Sequence, residues 1–464
     1  MPGVNPHIFR EYDIRGLVDT DLHDESVALI ARGFAKMVKD AGGSKVVLGR
    51  DCRESSTRFR KVFTTALNGC GVDVVDIGVV PTPLTYFGAH TLEGIDGMVM
   101  ITGSHNPPEY NGFKIGLGKA TMHGAQIQEL RRLIEAGDFP GGQGHTEEVD
   151  LIPAYERKVQ DSLRMGPRKL RVVVDAGNGV GGIVGAPLYR AMGMEVEGLF
   201  LEPDGTFPNH HPDPTVEENL ADLRKRVLEK GADLGIAFDG DADRVGVVDE
   251  RGNILWGDQL MILYSREVLK EEPGAAIIGE VKCSQTMYDE IERQGGRPIM
   301  WKAGHSLIKA KMKETSAALA GEMSGHVFFQ NRWFGFDDGV YAGARLLEIL
   351  SHEERPLSEL LADVPKTFSS PEIRRDAGTE ERKFALVRAA TEHFRKAGYQ
   401  VIDIDGARVV FEDGFGLVRA SNTQPILVLR FEAQTAARLQ EIEALFEETL
   451  QRLEAGLVEG ATGQ

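Results

Sequence analysis

The chain has 464 residues, 42% hydrophobic and 27% charged, with a formal net charge of −18. That length exceeds a single hydrophobic core and, at about 150 residues per domain, predicts three or four domains. The acidic balance argues against nucleic acid or an anionic membrane as partner, and no apolar run approaches the roughly 18 residues of a membrane helix. A small anionic substrate stays open, because a local group of Arg and Lys acts within a Debye length of about 8 Å at physiological salt. Cys52, Cys70 and Cys283 are widely spaced and form no CxxC pair, which speaks for reduced thiols rather than a disulfide framework or structural zinc. The opening MPGVNPHIFREYDIRG has no apolar signal core, so a cytoplasmic location is the expectation.

Taken along the chain, one order of elements recurs. SKVVLGRD (44–51) is a short aliphatic strand, followed by a helical stretch, the strand GVDVVDIG (71–78), another helix and GMVMITGSHNP (97–107). The same order returns in LRVVVDAGNG (170–179), GMEVEGLF (193–200) and ADLGIAFDGDADR (232–244). It returns again in GAAIIGEVKCS (274–284), GRPIMWKAGHS (296–306) and AALAGEMSGHVFF (317–329). Short buried strands alternating with helices imply layered α/β units, in which ligands gather outside the carboxyl ends of the strands. Near residue 366 the pattern changes. TFSSPEIRRD, a helix near 381–398, hairpin-like strands over 401–433 and an amphipathic helix over 439–457 read as a separate α+β domain. The expected domains are 1–150, 151–252, 253–365 and 366–464.

The unusual residues sit at those strand ends. In ITGSHNPPEYNGFK (101–114), Gly103, Pro107, Pro108 and Gly112 interrupt regular backbone, giving a shaped loop that carries Ser104, His105, Asn106 and Lys114. Alone, such a serine is better read as a turn cap. FDGDADRVGVVDE (238–250) sets Asp239, Asp241 and Asp243 at alternate positions, where a hard cation such as Mg²⁺ would relieve their repulsion. An EF-hand reading fails because Arg244 takes the obligatory glycine position and the flanks are strand-like; a solvated acidic turn is the bland alternative. DAGNGVGG (175–182) contains GxGxxG, a dinucleotide fingerprint with Glu195 or Glu197 as the acidic partner, or glycines for a tight first turn. Arg15, Lys114, Arg244, Lys282 and Arg419 lie among turn residues and together could hold phosphate, with Ser421, Asn422 and Thr423 as further donors. Glu322, Ser324 and His326 in GEMSGH suit sugar hydroxyls, and His305 is an acid, a base or a helix cap.

TGSHNP (102–107), DGDADR (239–244), GEMSGH (321–326) and RASNTQP (419–425), in that order after YDIRG, make the chain resemble the phosphohexomutase family, most closely its bacterial phosphomannomutase/phosphoglucomutase branch. The resemblance covers nearly the whole chain. It implies three tandem related α/β/α domains with mixed sheets and a C-terminal α+β domain around a central cleft. It implies that Ser104 carries a phosphoryl group and ligates Mg²⁺ together with Asp239, Asp241 and Asp243. Hexose 1- and 6-phosphates would interconvert through a hexose 1,6-bisphosphate. Lys114 and His305 would be the candidates for proton transfer, with Arg15 and Arg244 beside the transferring group. Tyr12, Lys282, Glu322, Ser324, His326, Arg419, Ser421, Asn422 and Thr423 would bind the substrate. Ala242 stands where many relatives have glycine, and Met323 and Asn422 argue against the sister phosphoglucosamine mutase activity. A nucleotide-dependent oxidoreductase and a non-catalytic sugar-phosphate sensor are the alternatives from other classes. A monomer is expected, with a homodimer compatible.

Overall fold

The computed structural model describes residues 4–421 and 425–462. Among these, the strands form sheets of seven, five, four and six. The first three sheets share a plan. In each, the first strand of the unit lies in the middle, with the second and third parallel to it on either side: Lys45–Arg50 between Asp73–Val79 and Gly97–Ile101, then Arg171–Asp175 between Glu195–Leu199 and Leu234–Phe238, then Ala276–Glu280 between Arg297–Trp301 and Leu319–Gly321. The central strands are aliphatic runs because helices cover both faces of such a sheet, so their interior side chains are buried whichever way they point.

Each unit also has a fourth strand that the element order did not single out. Tyr110–Leu117, Val245–Asp249 and Val327–Phe329 each run back antiparallel along the third strand. The stretch 317–329, expected as a strand ending in a loop, is the strand Leu319–Gly321, the loop and a second strand, Val327–Phe329. The reversal is what brings each motif to the cleft, because residues 102–109, 239–244 and 322–326 connect two strands at the carboxyl end of the sheet.

The fourth sheet is antiparallel, ordered Phe368–Ser369, Ile426–Ala433, Gly414–Ala420, Ala407–Phe411, Gln400–Ile402, with Ile373–Asp376 also on Ile426–Ala433. Helices Glu380–Lys396 and Ala436–Thr462 cover one face, packing Leu386, Phe394 and Phe446 on Val409, Val418 and Phe431. Side chains alternate along a strand, so Arg408, Phe415, Leu417 and Arg419 occupy the other face, where Phe415 and Leu417 meet Val281 of the third unit. The first three units, by contrast, share one continuous apolar core that includes Val47, Phe87, Tyr155, Phe238, Phe329 and Tyr341. No helix among the described residues is long and apolar enough to cross a membrane.

Candidate active site

Ser104 sits at φ 49, in the left-handed region that non-glycine residues rarely enter, and is 2% exposed. Sequence reading missed what holds it there. Arg53, itself 1% exposed, donates from Nη2 to the carbonyls of Ser104 at 2.9 Å and Asn106 at 2.6 Å, and from Nη1 to that of Pro107 at 2.6 Å. Asp51 fixes Arg53 in turn, accepting from its Nε at 3.1 Å and from the N–H of Gly103 at 3.1 Å. The Ser104 hydroxyl donates to Asp239 Oδ2 at 3.0 Å, and His105 Nδ1 lies 3.2 Å from Ser104 Oγ. Burial, with Arg244, Arg15 and Lys114 nearby, holds the His105 imidazole well below its usual range and so neutral.

The aspartate loop meets this serine directly. Gly240 is required by close approach: a Cβ there would lie 2.4 Å from the Ser104 carbonyl oxygen. Asp239, Asp241 and Asp243 are fully buried, and a ligand oxygen from each falls within 4.8 Å of the others. Lys114 Nζ donates to Asp241 Oδ2 at 2.7 Å and also to Asp243, while Thr82 Oγ1 donates to Asp241 Oδ2 at 2.6 Å. Burial alone would raise the Asp241 carboxyl, but Lys114 holds it well below the usual range. Burial and the neighbouring carboxylates push Asp239 well up and Asp243 up. Asp241 Oδ1 and Asp243 Oδ1 are buried acceptors without a hydrogen-bond donor. A group of anionic oxygens with unused lone pairs and too little positive charge fits a hard divalent cation. Ala242 stands at φ 58 in this loop, a conformation glycine would adopt without strain.

The third loop closes over the second. Arg244 Nε donates to His326 Nε2 at 2.9 Å, which leaves the ring hydrogen on Nδ1, and Nδ1 faces Asp337 Oδ2 at 3.2 Å. Asp243, His326 and Asp337 form a second group of metal-capable atoms, but Arg244 and Lys309 already engage two of its members. Lys309 Nζ donates to Asp337 Oδ1 at 2.7 Å and lies 3.2 Å from His305 Nδ1. Burial and Lys309 keep the His305 imidazole well below its usual range. Glu322 accepts from the N–H of Gly304 at 2.6 Å and from Ser324 Oγ at 3.4 Å. The first unit reaches this region through Tyr12, whose ring meets His305 edge-on at 5.2 Å and whose hydroxyl burial pushes up to about 12. Arg15 donates to Asn106 Oδ1 at 2.9 Å in the serine loop and to Asp13 at 2.6 Å.

Lys282 and Arg419 lie at the boundary with the fourth unit. Lys282 Nζ donates to Glu372 at 3.0 Å, and Arg419 Nε to Asp405 at 3.0 Å. Ser421 is buried nearby on the same strand end, with its carbonyl accepting from Lys383 at 2.5 Å. Asn422 and Thr423 lie outside the described residues. The dinucleotide reading of DAGNGVGG does not survive. A Cβ on Gly179 would lie 2.6 Å from the Gly240 carbonyl, and the N–H of Val180 donates to that carbonyl at 3.1 Å. These glycines admit the aspartate loop, so the amides that would hold a pyrophosphate are already used.

Sequence profiles of the phosphoglucomutase/phosphomannomutase alpha/beta/alpha domains I, II and III match residues 6–141, 153–252 and 256–368, and that of the C-terminal domain matches 373–449. The chain is 48% identical over 456 residues to a Pseudomonas aeruginosa protein named phosphomannomutase/phosphoglucomutase, covering 98% of each. It is 46% identical over 455 residues to a Neisseria gonorrhoeae phosphoglucomutase, covering 97% of this chain and 98% of that one. The crystal structure of a Burkholderia thailandensis phosphoglucomutase/phosphomannomutase family protein superposes with a TM-score of 0.92 at 44% identity, covering 98% of this chain and 99% of that one.

Proposed function

We propose that this chain, which belongs to the phosphoglucomutase/phosphomannomutase family, reversibly interconverts hexose 1-phosphate and hexose 6-phosphate through a phosphoserine at Ser104 and a hexose 1,6-bisphosphate. The observation that carries this reading is Ser104 itself, on left-handed backbone with its hydroxyl 3.0 Å from Asp239 among three buried carboxylates and a lysine. Asp239, Asp241 and Asp243 would hold Mg²⁺ with an oxygen on Ser104. When bound, the ion offsets the carboxylates and draws charge from the phosphoryl oxygens.

In the first half-reaction the Oγ–P bond of phosphoserine breaks as a bond forms from a sugar hydroxyl oxygen to phosphorus. The hydroxyl proton goes to His326 Nε2 as Arg244, which occupies that nitrogen at 2.9 Å, turns from it to the transferring phosphoryl group, and Asp337, 3.2 Å from Nδ1, steadies the resulting imidazolium. Lys114, whose ammonium is held on Asp241 at 2.7 Å among the same carboxylates, is the acid that returns a proton to Ser104 Oγ. His326 is the base in preference to His305, because it contacts both Arg244 and, at 3.9 Å, Glu322, between the phosphoryl and sugar sides of the cleft. The bisphosphate then reorients and the second half-reaction runs the same exchange in reverse.

Arg15 and Arg244 flank the transferring group, while Lys282, Arg419, Ser421, Asn422 and Thr423 grip the other phosphate. Tyr12 and His305 form a wall, and Glu322 and Ser324 bind O3 and O4, which glucose and mannose have in common, so both sugars serve. A coupled assay with glucose 1-phosphate and mannose 1-phosphate, with and without Mg²⁺, tests this together with intact mass of the protein. We expect turnover of both sugars, dependence on Mg²⁺, one phosphate on Ser104, and a loss of at least about 10³-fold in Ser104→Ala. An active preparation that never carries phosphate on Ser104 rules the mechanism out.

A further inference from the structure

The cations on the distal side of the cleft are held by acids of the fourth domain. Lys282 follows the strand Ala276–Glu280 of the third, and its ammonium meets Glu372 Oε2 at 3.0 Å. The other oxygen of Glu372 accepts from Arg374 Nε at 3.1 Å. Arg419 repeats the pattern: Asp405 Oδ2 accepts from its Nε at 3.0 Å and from the N–H of Ala303 in the third domain at 3.1 Å. Lys282 is buried, and Glu280 of its own domain also lies 3.9 Å away. One ammonium is thus shared by two carboxylates. An incoming phosphate dianion would have to compete with both acids for that ammonium.

We propose that Glu372 is an internal competitor for the sugar phosphate: it occupies Lys282 when no substrate is bound, is displaced by the substrate's non-reacting phosphate, and returns as product leaves. This rests on the reading of Lys282 as a phosphate-binding residue. A carboxylate and a phosphate offer the same anionic oxygen acceptors, so the exchange conserves the ammonium's hydrogen bonding while changing which domain supplies the anion. Glu372 is suited to the role. Lys282 first, then Arg374, overcome its partial burial and hold its carboxyl down to about 2, so it is ionised throughout the physiological range. It also lies just before the strand Ile373–Asp376, so its release from Lys282 loosens a direct tie between the third and fourth domains. Substrate arrival and domain movement are thereby linked through one ion pair.

Isothermal titration of the full-length protein with glucose 6-phosphate and with inorganic phosphate, alongside steady-state kinetics, tests the exchange. Glu372→Gln keeps the side chain's size and its bond to Arg374 but removes the charge. It is expected to bind both anions about three- to tenfold more tightly, with KM lower by a similar factor and kcat unchanged or reduced by slower release. In a Lys282→Met background the same change is expected to have no effect. Unchanged or weaker binding in Glu372→Gln, with wild type binding normally, overturns the competitor role. If instead Lys282→Met binds glucose 6-phosphate as well as wild type, the phosphate-binding assignment of Lys282 fails, and the competitor role falls with it.

Discussion

Ser104 and Ala242 both occupy left-handed backbone, at φ 49 and 58, at a cost of about 1–2 kcal/mol each. The cost is sustained because the two loops brace each other, through Arg53 on the serine side and the Gly240 approach on the other. At this scale the decisive pair is His326 and Asp337, 3.2 Å apart. In Asp337→Asn the amide that faces Nδ1 becomes a donor, so the ring turns its hydrogen to Nε2 and meets the Arg244 Nε donor. We predict that kcat falls about 10- to 100-fold while KM changes little, measured by steady-state kinetics; wild-type kcat would leave His326 without its support. That the serine, the three aspartates and the residues of GEMSGH carry unusual chemistry was legible because each motif is a contiguous string of chemistry-bearing types. Arg53, Glu372 and Asp337 were not. Arg53 and Ser104 are 51 residues apart and Glu372 and Lys282 are 90 apart, and each of these charges reads locally as ordinary solvated surface.

Among the elements, the helix Gly339–His352 is the hub of the shared core, buried on every side along most of its length. Its N-cap is Asp338, whose carboxylate accepts from the N–H of Tyr341 at 2.9 Å and from the Tyr155 hydroxyl at 2.9 Å. Burial outweighs these donors and pushes its carboxyl from 3.8 to about 7. Between those two values the folded protein keeps a proton that the unfolded chain has lost. Raising the pH through that window therefore removes stability, up to about 4 kcal/mol, and above about 7 the contribution is flat. Thermal unfolding followed from pH 5 to 7.5 should show this decline, and Asp338→Asn, which caps the helix in the neutral form at all pH values, should flatten it. Nothing in the sequence marks Asp338 apart from Asp337 beside it. One faces a tyrosine hydroxyl in the core and the other faces the cleft, and only helix packing decides which is which.

For the molecule as a whole, the unequal joining of its parts matters most. Three units share one apolar core, whereas the fourth meets the third through a small apolar patch of Phe415, Leu417 and Val281 flanked by polar contacts. Arg408 is the centre of that contact. Fully buried, it donates from Nη1 to the carbonyls of Val281 at 2.5 Å and Cys283 at 2.9 Å, and its guanidinium lies 3.6 Å from the centroid of the Phe415 ring. Arg408→Met leaves those carbonyls without donors at a cost of about 2–3 kcal/mol to the contact. We predict a larger radius of gyration by solution scattering, faster cleavage by limited proteolysis between the third and fourth domains, and a raised KM. An unchanged scattering curve and digestion pattern would mean that other contacts carry the joint.

The order of elements, the repeated α/β unit, the break near residue 366 and the chemical type of each loop follow from periodicity and local composition, which a linear sequence carries in full. Which strand turns back, which acid faces which cation, and which histidine has a carboxylate behind it depend on pairs brought together from different units. Those choices are made by long-range packing and by the need to neutralise every buried charge, and only the folded chain expresses either.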